Sequence, residues 1–119
     1  MPDIRRRATR IKLFDSQQID GSSGSVTSDI WNITQGQAFS LWTESLSSSA
    51  TITVTINMYP GLNGTGGDAI ADVAASSAAV GILSGTDLDI NEDIAKAVSV
   101  TLTNTGLAAA TISQSLLIY

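Results

Sequence analysis

The sequence has no cysteine and no histidine among its 119 residues. The lack of cysteine excludes a disulfide framework, and the lack of histidine removes the commonest general base and metal ligand. The basic start is not followed by the apolar segment of a secretory signal, and every apolar run is too short to cross a bilayer. We therefore expect a soluble, single-domain protein that is made in a cytoplasm.

Positive charge is scarce and unevenly placed. Residues 1–12 hold five basic residues against Asp3, which gives +4, whereas residues 13–119 hold Lys96 against ten acidic residues, which gives −9, for a total of −5. This asymmetry predicts a basic N-terminal arm, residues 1–14, that leads into the first strand of a domain spanning residues 15–119. The predicted partner-binding residues of the arm are Arg5, Arg6, Arg7, Arg10 and Lys12.

The partner of such an arm can be a nucleic acid or a protein. Clustered Arg and Lys neutralise a phosphate backbone, but the rest of the chain is acidic and no aromatic residue lies between Arg5 and Lys12 to stack on bases. The sequence therefore favours an acidic protein partner, or the sheet edge of a neighbouring subunit, over nucleic acid. Attraction of this kind weakens as the salt concentration rises.

Serine and threonine are abundant, with 16 and 13 residues respectively, and they alternate with apolar residues. Ala50–Met58 (ATITVTINM) alternates strictly, which predicts a half-buried antiparallel strand. Ala97–Asn104 and Ala110–Tyr119 are predicted as two further strands, joined by a turn at Asn104–Gly106 into a closing hairpin. The residues predicted to face inward are Ile52, Val54, Ile56, Met58, Val98, Val100 and Leu102.

Other segments follow the same plan. Thr9–Ile19, Val26–Thr34 and Gln37–Glu44 are predicted strands, separated by turns and polar loops. Ala69–Leu83 is rich in alanine, but its serines and Gly81 disfavour a helix, so we predict a short strand or a turn there, followed by a strand near Ala78–Leu83. Seven to eight short strands with regular turns indicate an all-β protein, an antiparallel β-sandwich that is jelly-roll-like.

Two stretches suggest ligand sites. In Thr86–Asp93 (TDLDINED), Asp87, Asp89 and Asn91 are weak calcium-ligand candidates, but Glu92 and Val98 stand where a calcium-binding EF-hand loop needs Gly and Glu. A solvated acidic turn is favoured there. Gly61–Gly67 (GLNGTGG) lacks the Lys and Ser or Thr of a phosphate loop and is followed by an acidic residue, which favours a simple inter-strand loop.

Catalytic chemistry is not indicated. The chain has no G-x-S-x-G motif and no histidine to activate a serine, and a domain of this size offers little material for a walled cleft. We expect a protein that is not an enzyme and that uses no cofactor.

The few aromatic residues leave two interpretations open. Trp31, Trp42 and Tyr59 are possible sugar-stacking residues, since jelly rolls often carry carbohydrate sites. The alternative, which we favour, is that the tryptophans are buried anchors of the core or of an interface. Two N-x-[ST] matches, at Asn32–Thr34 and Asn63–Thr65, lack a secretory context.

Two stretches also carry a family resemblance. Ala97–Tyr119 (AVSVTLTNTGLAAATISQSLLIY) resembles the closing hairpin of small β-sandwich proteins from tailed bacteriophage virions, and Ala50–Gly64 (ATITVTINMYPGLNG) is similar to their mid-sandwich strand and loop. Together these stretches cover about a third of the chain. The resemblance carries over no catalytic residues, and the basic start is not part of it.

The resemblance implies a virion structural protein, a capsid decoration (cement) subunit or a neck or tail accessory, made in the host cytoplasm. Its implied partners are the major capsid protein or another virion protein, and further copies of itself, with a trimer favoured over a dimer. No membrane partner is implied. The alternative is a carbohydrate-binding or receptor-binding β-sandwich module of a phage tail or fibre. In the favoured interpretation, the basic arm docks the subunit on the capsid.

Overall fold

Nine strand segments and one short helical turn form the described part of the protein. The computed structural model describes residues 9–33, 39–47, 52–65, 70–73, 81–84 and 96–118, with the backbone alone for residues 39, 70–73 and 81–84. A 3₁₀ turn lies at Leu62–Gly64. The strands are β1 (Thr9–Ile19), β2 (Gly24–Thr27), β3 (Trp31–Asn32), β4 (Phe39–Leu46), β5 (Ile52–Tyr59), β6 (Ile70–Val73), β7 (Gly81–Ser84), β8 (Ala97–Asn104) and β9 (Ala110–Ile118).

The strands form two antiparallel sheets. The four-stranded sheet has the order β1-β9-β4-β7, and the five-stranded sheet has the order β2-β8-β5-β6, with β3 also paired to β8. If β2 and β3 are counted as one interrupted strand, the eight strands follow the orders 1-8-3-6 and 2-7-4-5. That is the strand order of a jelly roll. The predicted all-β sandwich is confirmed.

The core lies between the two sheets and follows the predicted alternation. The inward residues of β5 and β8 that the sequence indicates are all buried. They pack against apolar residues of the opposite sheet, because each sheet buries one of its faces. The core residues of the four-stranded sheet are Phe14, Ile19, Leu41, Ala110, Ile112, Leu116 and Ile118.

The predicted closing hairpin is wrong. β8 pairs with β2, β3 and β5, whereas β9 pairs with β1 and β4 in the other sheet. The connection at residues 105–109 therefore crosses from one sheet to the other instead of folding back within one. In this arrangement Leu102 and Ile112 belong to opposite walls of the core, whereas a hairpin would place both on one sheet face.

The segment predicted as one strand at Val26–Thr34 is interrupted. The Ser28 hydroxyl oxygen accepts the Val100 N–H at 2.9 Å, and the same hydroxyl donates to the Asp29 carbonyl at 2.9 Å. A side chain thus takes the place of a backbone acceptor, which separates β2 from β3.

The alanine-rich segment contains strands in its described parts. Ile70–Val73 is β6, paired with β5, and Gly81–Ser84 is β7, paired with β4. The preference for strands over a helix is confirmed for these residues. Among the described residues, no helix has the length and apolar character needed to span a membrane.

Candidate functional site on the outer faces of the sheets

Two of the predicted partner-binding residues lie within β1. Arg10 and Lys12 stand on the outer face of the four-stranded sheet, and pairing with β9 begins at Thr9, opposite Ile118. The other three, Arg5, Arg6 and Arg7, lie outside the described residues. The structure therefore fixes the last part of the predicted arm as sheet, while its binding role and the boundary at residue 14 stay predictions.

The outer face of this sheet brings charged and aromatic side chains together. Lys12 and Trp42 both lie opposite Ser115 on the central strand β9, so the three residues form a row across the sheet. Glu44 is two residues beyond Trp42 on β4 and shares its face. We call the set Arg10, Lys12, Trp42, Glu44 and Ser115 the Glu44 cluster.

Glu44 is the acceptor at the centre of this cluster. Its carboxylate forms an ion pair with Lys12, whose Nζ lies 2.5 Å from Oε2, and another with Arg10 through Oε1. The Ser115 hydroxyl donates to Oε1 at 2.5 Å, and Arg10 Nε donates to the Ser115 oxygen at 3.3 Å. These donors, Lys12 foremost, then Ser115 and Arg10, lower the pKa of Glu44 from 4.5 to about 2, because they stabilise its charged form.

Trp42 completes the cluster. The Arg10 guanidinium carbon lies 4.6 Å from the centre of the Trp42 ring, which is a cation–π contact. Ser115 is fully buried beneath the longer side chains around it, while the Arg10 side chain keeps 49% of its surface exposed. With two cations and one carboxylate, the cluster carries a net charge of +1. Its chemistry is electrostatic, and it ties β1 to β9 and β4.

Glu44 and Ser115 were not singled out from the sequence. A period of two places Glu44 on the same face as Trp42, which is a local signal that could have been used. The adjacency of β1 and β4 to β9 is a long-range property, and no local pattern contains it.

The three predicted sugar-stacking residues are not brought together. Trp42 lies on the outer face of the four-stranded sheet, with Arg10 over its ring. Trp31 is part of β3 in the other sheet and packs against the core, with its Nε1 buried and unpartnered among the described residues. Tyr59 lies on the outer face of that sheet, with its hydroxyl 3.4 Å from the Ser99 hydroxyl. Sugar stacking by any one of them stays a prediction.

The outer face of the five-stranded sheet is a network of hydroxyl and amide groups. The Asn57 amide donates to Ser99 at 3.1 Å and to Thr101 at 3.0 Å, and the hydroxyls of Thr27 and Thr101 lie 2.9 Å apart. On the described strands β2, β5 and β8, no outward position carries a charged residue. Those outward positions are Ser25, Thr27, Thr53, Thr55, Asn57, Tyr59, Ala97, Ser99, Thr101 and Thr103.

The candidate metal ligands Asp87, Asp89 and Asn91 lie outside the described residues. Within the described ranges, no group of three or more acidic residues is placed to hold a metal ion. The calcium hypothesis for residues 86–93 is therefore not tested.

Comparison with known proteins yields structural neighbours only. No protein-family model matches the chain, and no curated protein matches it. The chain is similar to a chain in the structure of infectious bursal disease virus Gx strain, with a TM-score of 0.53 and 14% identity, over 94% of this chain and 32% of that one. It is also similar to a chain of the infectious bursal disease virus VP2 subviral particle, with a TM-score of 0.50 and 15% identity, again over 94% and 32%.

The chain spans about a third of the length of both viral chains. At this level of identity the likeness shows a shared fold and nothing further. Neither neighbour is from a tailed bacteriophage, so that part of the family resemblance stays a prediction.

Proposed function

We propose that this chain is a non-enzymatic structural subunit of a virion, a decoration (cement) subunit that associates with copies of itself and docks on the capsid. The observation that carries the proposal is the similarity of the fold, over 94% of the chain, to chains of two viral structures, with TM-scores of 0.53 and 0.50. The absence of cysteine, histidine and nucleophile motifs from the sequence supports a role in assembly.

The proposal assigns docking on the capsid to residues 1–8, a shorter segment than the predicted arm of residues 1–14. Arg10 and Lys12 share the Glu44 carboxylate, so one of their two positive charges is compensated within the sheet. The sequence places Arg5, Arg6 and Arg7 directly before β1, with Asp3 as the nearest acidic residue. These three arginines are the cations that the proposal assigns to an acidic surface of the capsid.

Self-association is assigned to the outer face of the five-stranded sheet. The chain has a net charge of −5, so two copies repel each other, and a contact face without charge keeps the like charges farthest apart. The described outward positions of β2, β5 and β8 form such a face. A trimer or a dimer built there avoids the desolvation of charged groups.

The first experiment tests the virion role and the arm separately. Density-gradient fractions of a culture that makes the full chain are probed for the chain and for particles. The proposal requires the chain to sediment with particles; a chain found only in the soluble fractions overturns the virion role. Deletion of residues 2–8 leaves β1 intact and is expected to release the subunit. If the deletion variant stays on particles, the arm is not the anchor, although the virion role stands.

The second experiment tests self-association. Light scattering gives the mass of the full chain in solution, and Thr55→Lys and Thr101→Glu place charges on the uncharged face. Both variants are expected to reduce the mass to that of a monomer, whereas Thr55→Ser, which keeps the hydroxyl, leaves the oligomer intact. An oligomer unaffected by either charged variant overturns the assignment of this face.

The carbohydrate-binding alternative is tested by tryptophan fluorescence titrated with a panel of sugars. Trp42 is covered by Arg10 on one ring face, and Trp31 packs against the core, so no described pair of aromatic rings forms a shared platform. A saturable fluorescence change with any sugar would favour the alternative over the decoration role.

A further inference from the structure

Asn63 lies in the loop that follows β5 and is the only asparagine of the sequence that is directly followed by glycine. The loop is tight, because the Thr65 N–H and hydroxyl both donate to the Leu62 carbonyl, at 3.1 and 2.6 Å. Asn63 has a left-handed backbone, with φ 58° and ψ 22°, and Gly64 follows with φ 81°. The two residues form the tip of this loop, where Asn63 is exposed and Gly64 is half-buried.

A reciprocal pair of hydrogen bonds joins Asn63 to Asn32. The Asn32 amide nitrogen donates to Asn63 Oδ1 at 2.8 Å, and the backbone N–H of Asn63 donates to Asn32 Oδ1 at 2.7 Å. Asn32 is itself fixed, because it pairs with Ala97 in β8 and the next residue, Ile33, donates its N–H to the Lys96 carbonyl at 2.8 Å. We call this pair the Asn32–Asn63 clasp. It holds both the side chain and the backbone of Asn63 against the sheet.

The chemistry of an Asn-Gly pair makes this restraint significant. Glycine has no side chain to shield its backbone nitrogen, so the Gly64 nitrogen can attack Cγ of Asn63 when the two approach each other. The new N–Cγ bond closes a five-membered succinimide, the Cγ–Nδ2 bond breaks, and ammonia leaves with the proton from the Gly64 nitrogen. Water then opens the ring at either carbonyl and yields aspartate or isoaspartate, so that asparagine plus water becomes acid plus ammonia.

We propose that Asn63 is a site of spontaneous deamidation and that the Asn32–Asn63 clasp restrains the reaction in the folded protein. The attack requires two rotations within Asn63, one of the side chain about its Cα–Cβ bond and one of the backbone about its Cα–C bond (ψ). Together these rotations bring the Gly64 nitrogen to Cγ. The clasp fixes Oδ1 and the backbone N–H of Asn63 on one partner, so these rotations require it to open. Opening of the clasp, and not unfolding of the domain, therefore sets the rate.

The two products differ in their effect on the loop. Aspartate at position 63 keeps an oxygen for the Asn32 amide and keeps its own N–H, so it preserves the clasp. Isoaspartate inserts a methylene into the main chain and moves these groups apart, so it breaks the clasp. Either product adds one negative charge to a chain of net charge −5. Because asparagine is a thermolabile residue, this change accumulates with age and temperature.

The experiment follows deamidation of the full-length protein by peptide mass spectrometry during storage in mildly alkaline buffer. Wild type is compared with Asn32→Ala, which removes both clasp bonds, and with Asn32→Asp, which keeps the acceptor for the Asn63 N–H. A synthetic peptide of residues 58–68 gives the unrestrained rate. The matched control is Gln17→Ala, on β1 of the other sheet, which removes an exposed amide that donates to the Gln18 carbonyl. Circular dichroism verifies that each variant is folded.

We expect deamidation at Asn63 to be about tenfold faster in Asn32→Ala than in wild type, with Asn32→Asp between them and Gln17→Ala equal to wild type. The peptide is expected to react fastest. If folded Asn32→Ala and Asn32→Asp both react at the wild-type rate, or if wild type reacts as fast as the peptide, the clasp does not restrain Asn63 and the proposal fails. Absence of deamidation in the peptide overturns it as well.

Discussion

The guanidinium of Arg10 lies over the ring of Trp42, with 4.6 Å between the guanidinium carbon and the ring centre. Arg10, which was predicted to bind a partner, thus contacts Trp42, which was predicted to stack on a sugar. The contact spans β1 and β4, the two strands on either side of β9 in the four-stranded sheet. It fixes the first strand on the body of the domain.

Loss of this contact has a spectroscopic and an energetic signature. Arg10→Met keeps an apolar chain of similar length but removes the cation from Trp42. We expect the tryptophan emission to shift and the free energy of unfolding to fall by about 0.5–1 kcal/mol, the usual contribution of an exposed cation–π pair. The control is Lys12→Met, which removes a cation from Glu44 and leaves the ring contact in place. Equal emission shifts in both variants would argue against the stacking contact.

Glu44 makes stability depend on pH in the acid range. Its pKa is lowered from 4.5 to about 2 in the folded protein, so its charged form stabilises the fold at pH values above about 4.5. This contribution declines as the pH falls from 4.5 through 2, because over this range the unfolded state binds a proton that the folded state does not bind, which favours unfolding. Urea unfolding of wild type and Glu44→Gln is the measurement. The stability difference is expected to be largest at neutral pH and to shrink below 4.5; a difference independent of pH would contradict it.

Asn104 holds the crossing between the two sheets. Its buried amide nitrogen donates to the carbonyls of Ile19 and Ala108, at 3.2 and 2.8 Å, and its oxygen accepts the Gly106 N–H at 2.9 Å. Asn104→Ala leaves these groups without their partner, and we expect unfolding free energy to fall by roughly 2–3 kcal/mol. Asn57→Ala, on the half-exposed outer face, is expected to cost less than about 1 kcal/mol. Similar losses in urea titrations of the two variants would disprove the structural role of Asn104.

A polar pair lies inside the core. The Gln114 amide nitrogen donates to the Thr43 hydroxyl at 3.1 Å, both side chains are fully buried, and Gln114 Oε1 has no hydrogen-bond partner among the described residues. Thr43→Val removes the acceptor, so we expect a loss of roughly 1–3 kcal/mol. Thr43→Val combined with Gln114→Met replaces both polar groups and is expected to recover most of that loss. A double variant less stable than the single one in thermal unfolding would show that the pair is a net stabilising element.

The local alternation of apolar and polar residues was sufficient to predict much of the fold. The strict alternation in Ala50–Met58 predicted a strand whose four apolar residues face inward, and all four are buried. The same reasoning located β8, β9 and β1 within one or two residues, because a period of two with one apolar face depends only on neighbouring residues. Ser28 shows where this reasoning stopped: its side chain replaces a backbone acceptor and interrupts a strand that the composition favours.

The candidate site was predicted only in part. Arg10, Lys12 and Trp42 were each singled out, but for different reasons and for separate roles. Glu44, which binds both cations, was not singled out. Its role depends on the two cations of β1, a strand far from Glu44 in the sequence. The three aromatic residues proposed to act together lie on different sheets or faces, and no feature of their spacing reveals it.

The sequence pattern was enough to predict most of the strands, the inward residues of β5 and β8, and the all-β class, because burial of one face of a strand imposes a short-range pattern. The tertiary structure alone decided which strands pair. β8 and β9 fit a hairpin equally well by local pattern, yet they lie in opposite sheets, since an apolar face is satisfied by either wall of the same core. The pairing of the strands then decided which residues are neighbours on the outer faces. It placed Glu44 between Arg10 and Lys12, where it compensates one of their two charges, and it joined Asn32 to Asn63.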